Sequence, residues 1–358
     1  MESSRKPETV LVSRLSALGD VAMTLPTLYS ACRANPSTRF VMLTKPLPAR
    51  MFMNAPDNLT VLGVDFDGYK GPAGIWRLCG ELCRDYAVGG YVDLHNVLRT
   101  RLLRLFMRLR GVRVTCVDKG RREKKALCRR SDKRMMALMP MTARYRDTFR
   151  RAGIGLDDGF TDIFGGEMPE LSPSLPVKEA GERWLAVAPF AAHEGKVYPL
   201  PLMESVVDEF ASRPGYRIFI FGAGEKEREM IDGLVKGRGN VVSMAELHLG
   251  LEAELSLMAH CDVMLSMDSA NMHLASLVGV RVVSVWGATH PYCGFKGFGQ
   301  QETDIVQLPM TCRPCSVFGN KPCARGDYHC LRGIPPSMIV NKVNKVLFTQ
   351  DKEDRRKE

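Results

Sequence analysis

Val10-Leu11-Val12-Ser13-Arg14-Leu15-Ser16-Ala17-Leu18-Gly19-Asp20 decides how the chain begins to fold. Its first residues, Val10–Arg14, read as a short buried strand. They run into a polar turn ending in Gly19-Asp20, and a helical stretch follows from about Val21 to Arg33, with Pro26 tolerable near its start. Strand, turn and helix make the first half of a βαβ unit. Phe40–Leu43, Leu59–Leu62 and Gly90–Leu94 continue the series as further short strands, the last ending in polar His95-Asn96. Strands alternating with helices predict a parallel sheet covered on both faces.

The alternation stops between Glu167 and Glu182, where Pro169, Pro173 and Pro176 mark a domain boundary. It then restarts. Leu185–Ala188, Tyr216–Phe221, Asp262–Ser266 and Arg281–Trp286 read as strands; Leu202–Ala211, Lys226–Lys236 and Asn271–Val278 read as helices. The expected organisation is α/β: an N-terminal Rossmann-like domain over 1–166, a linker over 167–182, a second Rossmann-like domain over 183–335, a helix over 336–350 and a disordered tail over 351–358. A length of 358 residues suits two such domains. Ligands are expected at the carboxyl ends of the strands, in a cleft between the halves.

Composition narrows the function. Apolar residues make up 45% of the chain, and no apolar run has the length of a membrane span or of a secretory leader. The expected location is the cytosol, where the 11 cysteines are free thiols or metal ligands. The net charge of +10 is local: Arg99–Arg134 holds fifteen Lys or Arg against three acids, leaving −2 for everything else. A local basic window implies one anionic partner, such as a phosphorylated substrate or a membrane face. Nucleic acid is not expected, because the window carries a single aromatic, Phe106.

Five stretches carry chemistry. Asp20 stands where a strand end meets a helix, placed either as an N-cap or as a general base. Ser266-Met267-Asp268-Ser269-Ala270-Asn271-Met272-His273 runs from a strand into a helix N-terminus, a natural phosphate site. Ser269 and Asn271 add donors there. Asp268 would repel a phosphate and is read as orienting the loop or binding ribose, and His273 faces either the phosphate or the core. Lys196, in the loop after Leu185–Ala188, can neutralise a diphosphate leaving group. Gly222-Ala223-Gly224-Glu225 begins like a dinucleotide fingerprint, but Glu227 replaces the third glycine and argues against a nicotinamide cofactor. Cys312, Cys315, Cys323 and Cys330, spaced C-x2-C-x7-C-x6-C, suit either a structural zinc or free thiols.

Three of these stretches, in this order, resemble glycosyltransferase family 9, the heptosyltransferases of lipopolysaccharide core assembly. They are VSRLSALGDVAMTLPTL from Val12, SMDSANMHLASLVGVRVVSVWGATHP from Ser266 and the cysteine stretch from Cys312. The resemblance implies a GT-B fold and inverting transfer of a sugar from a nucleotide-sugar, usually ADP-heptose, to a glycolipid acceptor. It implies Asp20 as the catalytic base. It places the donor on Lys196, Glu225, Asp268, Ser269, Ala270, Asn271 and His273, with Ala270 where the family more often has glycine. Ser16, Gly19, His95, Asn96, Lys119, Arg121 and Arg122 are the candidate contacts to an anionic acceptor, with peripheral contact to the inner membrane. No acidic pair suited to a metal–diphosphate complex stands out, so catalysis is expected to need no cofactor. The rival readings are a basic, zinc-containing nucleic-acid-binding protein and a catalytically inactive sugar-binding relative.

Overall fold

The computed structural model describes residues 8–354. They form two compact units. One holds the chain through Arg121 together with Met139–Gly166; the other holds Arg122–Leu138 and the chain from Glu167 onward. The segment 122–138, expected in the first domain, therefore packs with the second.

The first unit is built on β1 (Thr9–Ser13), β2 (Arg39–Thr44), β3 (Leu59–Gly63), β4 (Gly90–Asp93) and β5 (Arg113–Cys116). All neighbours are parallel, in the order β3-β2-β1-β4-β5. β1 is buried along its whole length, as a central strand covered on both faces must be. The expected helix over 21–33 is two helices, Leu18–Ala22 and Leu25–Ala34. Pro26 lacks an N–H and sits in the first turn of the second helix, where none is needed, so the chain restarts there.

The second unit contains β6 (Arg183–Ala188), β7 (Tyr216–Ile220), β8 (Val241–Ser243), β9 (Val263–Met267), β10 (Val282–Val285) and β11 (Ile305–Val306). Their order is β11-β10-β9-β6-β7-β8, again all parallel. The core runs through Leu185, Val187, Ile218, Leu265 and Val283 to the C-terminal helix at Ile339 and Val343.

The expected linker is not free. Asp262 accepts from Lys178 Nζ at 2.8 Å, Arg183 Nη1 at 3.1 Å and the Trp184 amide at 2.6 Å. His260 Nε2 and the Pro169 carbonyl lie 2.7 Å apart. These contacts tie 167–182 to the second sheet. The C-terminal helix spans Pro336–Asp354, past its expected end at 350, because no helix breaker follows. The rest of the expected tail, 355–358, lies outside the described residues. Among the described residues no helix is long and apolar enough to cross a membrane.

Each sheet has one place where the chain reverses its direction of growth. β1, β2 and β3 build outward, and β4 then returns to the other side of β1. β6, β7 and β8 do the same, and β9 returns beside β6. Such reversals leave a crevice at the carboxyl ends of the two central strands. Asp20 and His95 follow β1 and β4; Lys196 and Asp268 follow β6 and β9.

Candidate active site

In the first unit the turn after β1 carries the candidate base. Ser16 and Ala17 are joined by a cis peptide bond, and Gly19 lies inside the Leu18–Ala22 helix. The N-cap of that helix is Ala17 and has no side-chain cap, so Asp20 is a first-turn residue and the capping role is not its own. Instead Asp20 Oδ2 meets Arg14 Nη2 at 2.5 Å. Arg14 is buried, and its Nη1 donates to the Leu94 carbonyl at 3.0 Å, which ties the end of β1 to the chain leaving β4. Sequence reading passed over Arg14 because it looked like the tail of a strand. Its signal was a cation in an otherwise apolar buried run, which needs a partner.

The turn after β4 is organised by Asp93, which is fully buried. Its Oδ1 accepts from the backbone N–H of His95 at 2.8 Å and of Asn96 at 2.9 Å, and Oδ2 faces Arg104 Nε at 3.2 Å. His95 is buried and its Nδ1 accepts the Leu15 N–H at 3.3 Å, which leaves the proton on Nε2. Burial, helped by the cations of Arg14 and Lys119, pushes the His95 pKa down to about 3, so the ring is a neutral N–H donor at working pH. Asn96 is engaged with the protein on both sides. Its Nδ2 donates to the Val117 carbonyl at 3.2 Å, and its Oδ1 accepts from Arg101 at 3.3 Å and Arg104 at 3.2 Å. Its side chain holds the turn, a use different from the expected acceptor contact.

The basic window divides. Arg99 and Arg110 lie over the Phe66 and Trp76 rings, and Arg104 pairs with Asp93. Arg121 donates to the Asn96 carbonyl at 2.9 Å and remains exposed. Arg122 is exposed and belongs with the second unit. Lys119 is half-buried; burial and the neighbouring Arg14 push its pKa down to about 8.

In the second unit the loop after β6 ends in a single turn, Glu194–Lys196, before the Leu200–Ala211 helix. Lys196 Nζ lies 3.0 Å from Asp268 Oδ2, and the same oxygen accepts from Thr289 Oγ1 at 2.7 Å. That answers the puzzle of an acid in a phosphate turn: Asp268 is neutralised by Lys196 and holds its ammonium at the end of β9. Ser269 is the N-cap of the Ala270–Leu277 helix, and its hydroxyl lies 3.2 Å from that of Ser266. Ala270 and Asn271 form the first turn, with amides free for an anion. His273 is buried one turn on. Glu225 is exposed at the start of the Glu225–Val235 helix. Glu227 closes that turn instead, accepting the Ala223 N–H at 2.8 Å.

The cysteine stretch buttresses the lysine loop. The Ala288 amide donates to the Gly195 carbonyl and the Cys315 amide to the Ala288 carbonyl, both at 2.7 Å. Gly319, with φ of +74°, packs so closely on the Lys196 stem that a Cβ would lie 2.6 Å from Lys196 Cγ. Arg313 is fully buried and donates to the carbonyls of Gly287, Leu308 and Thr289 and to Gln307. The four cysteines of the expected zinc set lie near enough to one another to act on each other's thiols. Cys330 packs in the hydrophobic core, Cys323 Sγ faces Asp327, and Lys133 places its ammonium 2.8 Å from the Cys312 carbonyl. Among the described residues no three His, Cys, Asp or Glu are placed to hold one ion.

With its pKa near 8 against 10.5 for the free side chain, Lys119 is charged at a penalty in the folded protein. The unfolded chain binds more protons between those values, so this penalty is complete below pH 8 and is relieved as pH rises toward 10.5. Lys119→Met should therefore raise the melting temperature at pH 7, with the gain shrinking above pH 8. Thermal unfolding across that range checks it, and a variant less stable at pH 7 contradicts it.

Comparison with known proteins identifies the fold and the family. The family model described as glycosyltransferase family 9 (heptosyltransferase) matches residues 75–323. Lipooligosaccharide heptosyltransferase 2 of Campylobacter jejuni is 24% identical over 134 residues, 37% of this chain and 41% of that protein. The chain thus aligns with about two fifths of the length of its curated relatives. The E. coli heptosyltransferase WaaC with ADP superposes with a TM-score of 0.67 at 17% identity, covering 94% of this chain and 99% of that one. A family 9 glycosyltransferase from Veillonella parvula gives 0.71 at 17% identity, covering 96% and 98%. The fold is GT-B, and the chain belongs to glycosyltransferase family 9.

Proposed function

We propose that the protein transfers heptose from ADP-heptose to a lipopolysaccharide-core acceptor, with inversion at the anomeric carbon. The observation that carries this is the Lys196–Asp268 pair beside the first turn of the Ala270–Leu277 helix. An ammonium and unpaired backbone amides at one strand-end crevice suit a leaving diphosphate. The ADP and ADP-heptose analogue held by solved E. coli relatives support the donor class.

The first unit supplies the other half of the reaction. The acceptor hydroxyl attacks the anomeric carbon, the bond from that carbon to the diphosphate oxygen breaks, and the hydroxyl proton passes to Asp20. Arg14 is a positioning residue: by engaging Oδ2 it fixes the carboxylate. Lys119, Arg121 and the Nε2–H of His95 suit an acceptor bearing carboxylate or phosphate. The departing ADP carries its charge to Lys196 and the helix amides.

An acceptor embedded in a membrane calls for an enzyme at a membrane surface, and we place this protein in the cytoplasm, peripheral to the inner membrane. The Leu98–Leu109 helix supports that placement. It exposes Leu98, Leu105 and Leu109 together with Arg101 and Arg108, an apolar stripe flanked by cations. The protein should sediment with vesicles rich in phosphatidylglycerol and much less with phosphatidylcholine alone, and Leu105→Ser with Leu109→Ser should reduce the former. Equal sedimentation with both lipids would contradict the placement.

Asp20→Asn tests the chemistry. Asparagine keeps the size of the side chain and leaves Ala17 as the N-cap, so the variant should fold and bind donor as the parent does. Turnover should fall by about 10²–10⁴-fold, the usual yield of general base catalysis. Near-parental turnover in a stable Asp20→Asn protein leaves the mechanism without its base.

A further inference from the structure

Residues 122–138 lie between two stretches of the first unit yet pack with the second. Specific contacts fasten them there. Near the start, Lys124 sets its ammonium 4.2 Å from the centre of the Phe295 ring. At the end, the Leu138 N–H donates to the Tyr292 carbonyl at 3.0 Å. Between these, half-buried Lys133 donates from Nζ to two carbonyls of the cysteine stretch, Cys312 at 2.8 Å and Pro314 at 3.2 Å. Those two residues flank Arg313. An ammonium has three donors and no acceptor, so it can bridge both carbonyls at once. The bridge fixes the backbone from which Arg313 reaches inward. Arg313 is fully buried and ends on the carbonyls of Gly287, Leu308 and Thr289 and on Gln307, none of them a carboxylate. With neutral acceptors alone in these bonds, the guanidinium depends on exact placement. From it the hydrogen bonds run on without a gap. Arg313 Nη2 donates to the Thr289 carbonyl at 2.9 Å, Thr289 Oγ1 donates to Asp268 Oδ2 at 2.7 Å, and that oxygen lies 3.0 Å from Lys196 Nζ. Thr289 and Asp268 are both buried, where a lost partner costs most.

We propose that Lys133 is a positioning residue for Lys196. By clamping the turn around Arg313 it sets Thr289, and through Thr289 and Asp268 it sets the ammonium that receives the donor diphosphate. The inference rests on the reading of Lys196 given under the proposed function. Two of the three Lys133 donors are committed to carbonyls, so its part is to hold the turn. An ammonium already held in place loses less freedom when an anion arrives, and binds it more tightly for that reason. The alternative is a lysine that steadies the fold and nothing more. The two differ in one respect: a positioning residue acts through Lys196 and loses its effect when Lys196 is gone. A stretch that begins directly after the acceptor candidates Lys119 and Arg121 thereby belongs to the donor machinery.

Calorimetry of ADP binding to the intact protein tests this with Lys133→Met, which keeps the stem and removes the donors, and Lys133→Arg, which keeps them. Lys133→Met should weaken ADP binding by about 2- to 30-fold, the range for residues that act through a contiguous network. Lys133→Arg, still able to bridge two carbonyls, should restore most of the affinity, and Lys133→Gln, with one donating group, should fall between. In a Lys196→Ala background, Lys133→Met should have no further effect, because residues sharing a network are not additive. Hydrogen exchange read by mass spectrometry follows the clamp without any ligand. The amides of Ala288 and Cys315, which bond the lysine loop to the cysteine stretch, should exchange faster in Lys133→Met than in the parent. The proposal is overturned if Lys133→Met binds ADP as the parent does while Lys196→Ala does not, if the two losses add, or if exchange at Ala288 and Cys315 is unchanged. If Lys196→Ala binds ADP as tightly as the parent, the reading of Lys196 falls and this inference falls with it, even where exchange responds as expected.

Discussion

A parallel sheet that grows first one way and then the other must separate the loops on either side of its reversal. Right-handed crossovers place the helices after β1 and β4 on opposite faces of the first sheet, and those after β6 and β9 on opposite faces of the second. The backbone groups at those strand ends are then left open to a ligand instead of being covered by the next connection. The residues with the clearest chemical potential in this chain are found there: Asp20 and His95 in one unit, Lys196 and Asp268 in the other.

Open crevices would be of little use if their charges were loose. Asp20, Lys196 and Asp268 each have a specific partner. Arg14 ties Asp20 to the chain leaving β4, and Asp93 folds that chain back so that His95 meets Leu15. In the second unit Asp268 holds Lys196, Thr289 holds Asp268, and the Thr289 carbonyl is held in turn by Arg313. Gly195 and Gly319 allow the lysine loop and the cysteine stretch to touch. A side chain held in this way loses little freedom when substrate arrives, which is the physical content of preorganisation. The cysteine stretch acts here as a wall for Lys196 through its backbone and Arg313.

Most of the fold was legible because buried parallel strands are unbroken apolar runs, as at Val10–Val12 and Ile218–Phe221. β5, β8 and β11 were missed because they have four, three and two residues and too little pattern to stand out. The break between the first two helices turned on a single proline, whose effect depends on its register within a helix. Asp20, Lys196 and the Asp268–His273 turn were legible as residue types at strand ends. Their partners were not: Arg14, Thr289 and Arg313 reach across the fold to groups distant in sequence. Spacing made the four cysteines legible as one cluster, suited to a structural zinc or to free thiols. Their environments were not legible: Cys330 packs in the hydrophobic core, while Cys312, Cys315 and Cys323 line a cavity with basic residues of the 122–138 segment. The excursion of residues 122–138 into the second unit had no signal beyond its charge.

The central claim is that the second unit holds a nucleoside diphosphate–sugar at Lys196. Calorimetry of ADP-heptose and ADP binding to the intact protein and to Lys196→Ala tests it most directly. The account predicts saturable binding by the parent protein. It predicts that the variant binds more weakly by about 1–3 kcal/mol, the scale of a hydrogen bond to a charged group, with the unpaired Asp268 adding repulsion. Equal binding by parent and variant, or no binding of either nucleotide by the parent, would contradict it.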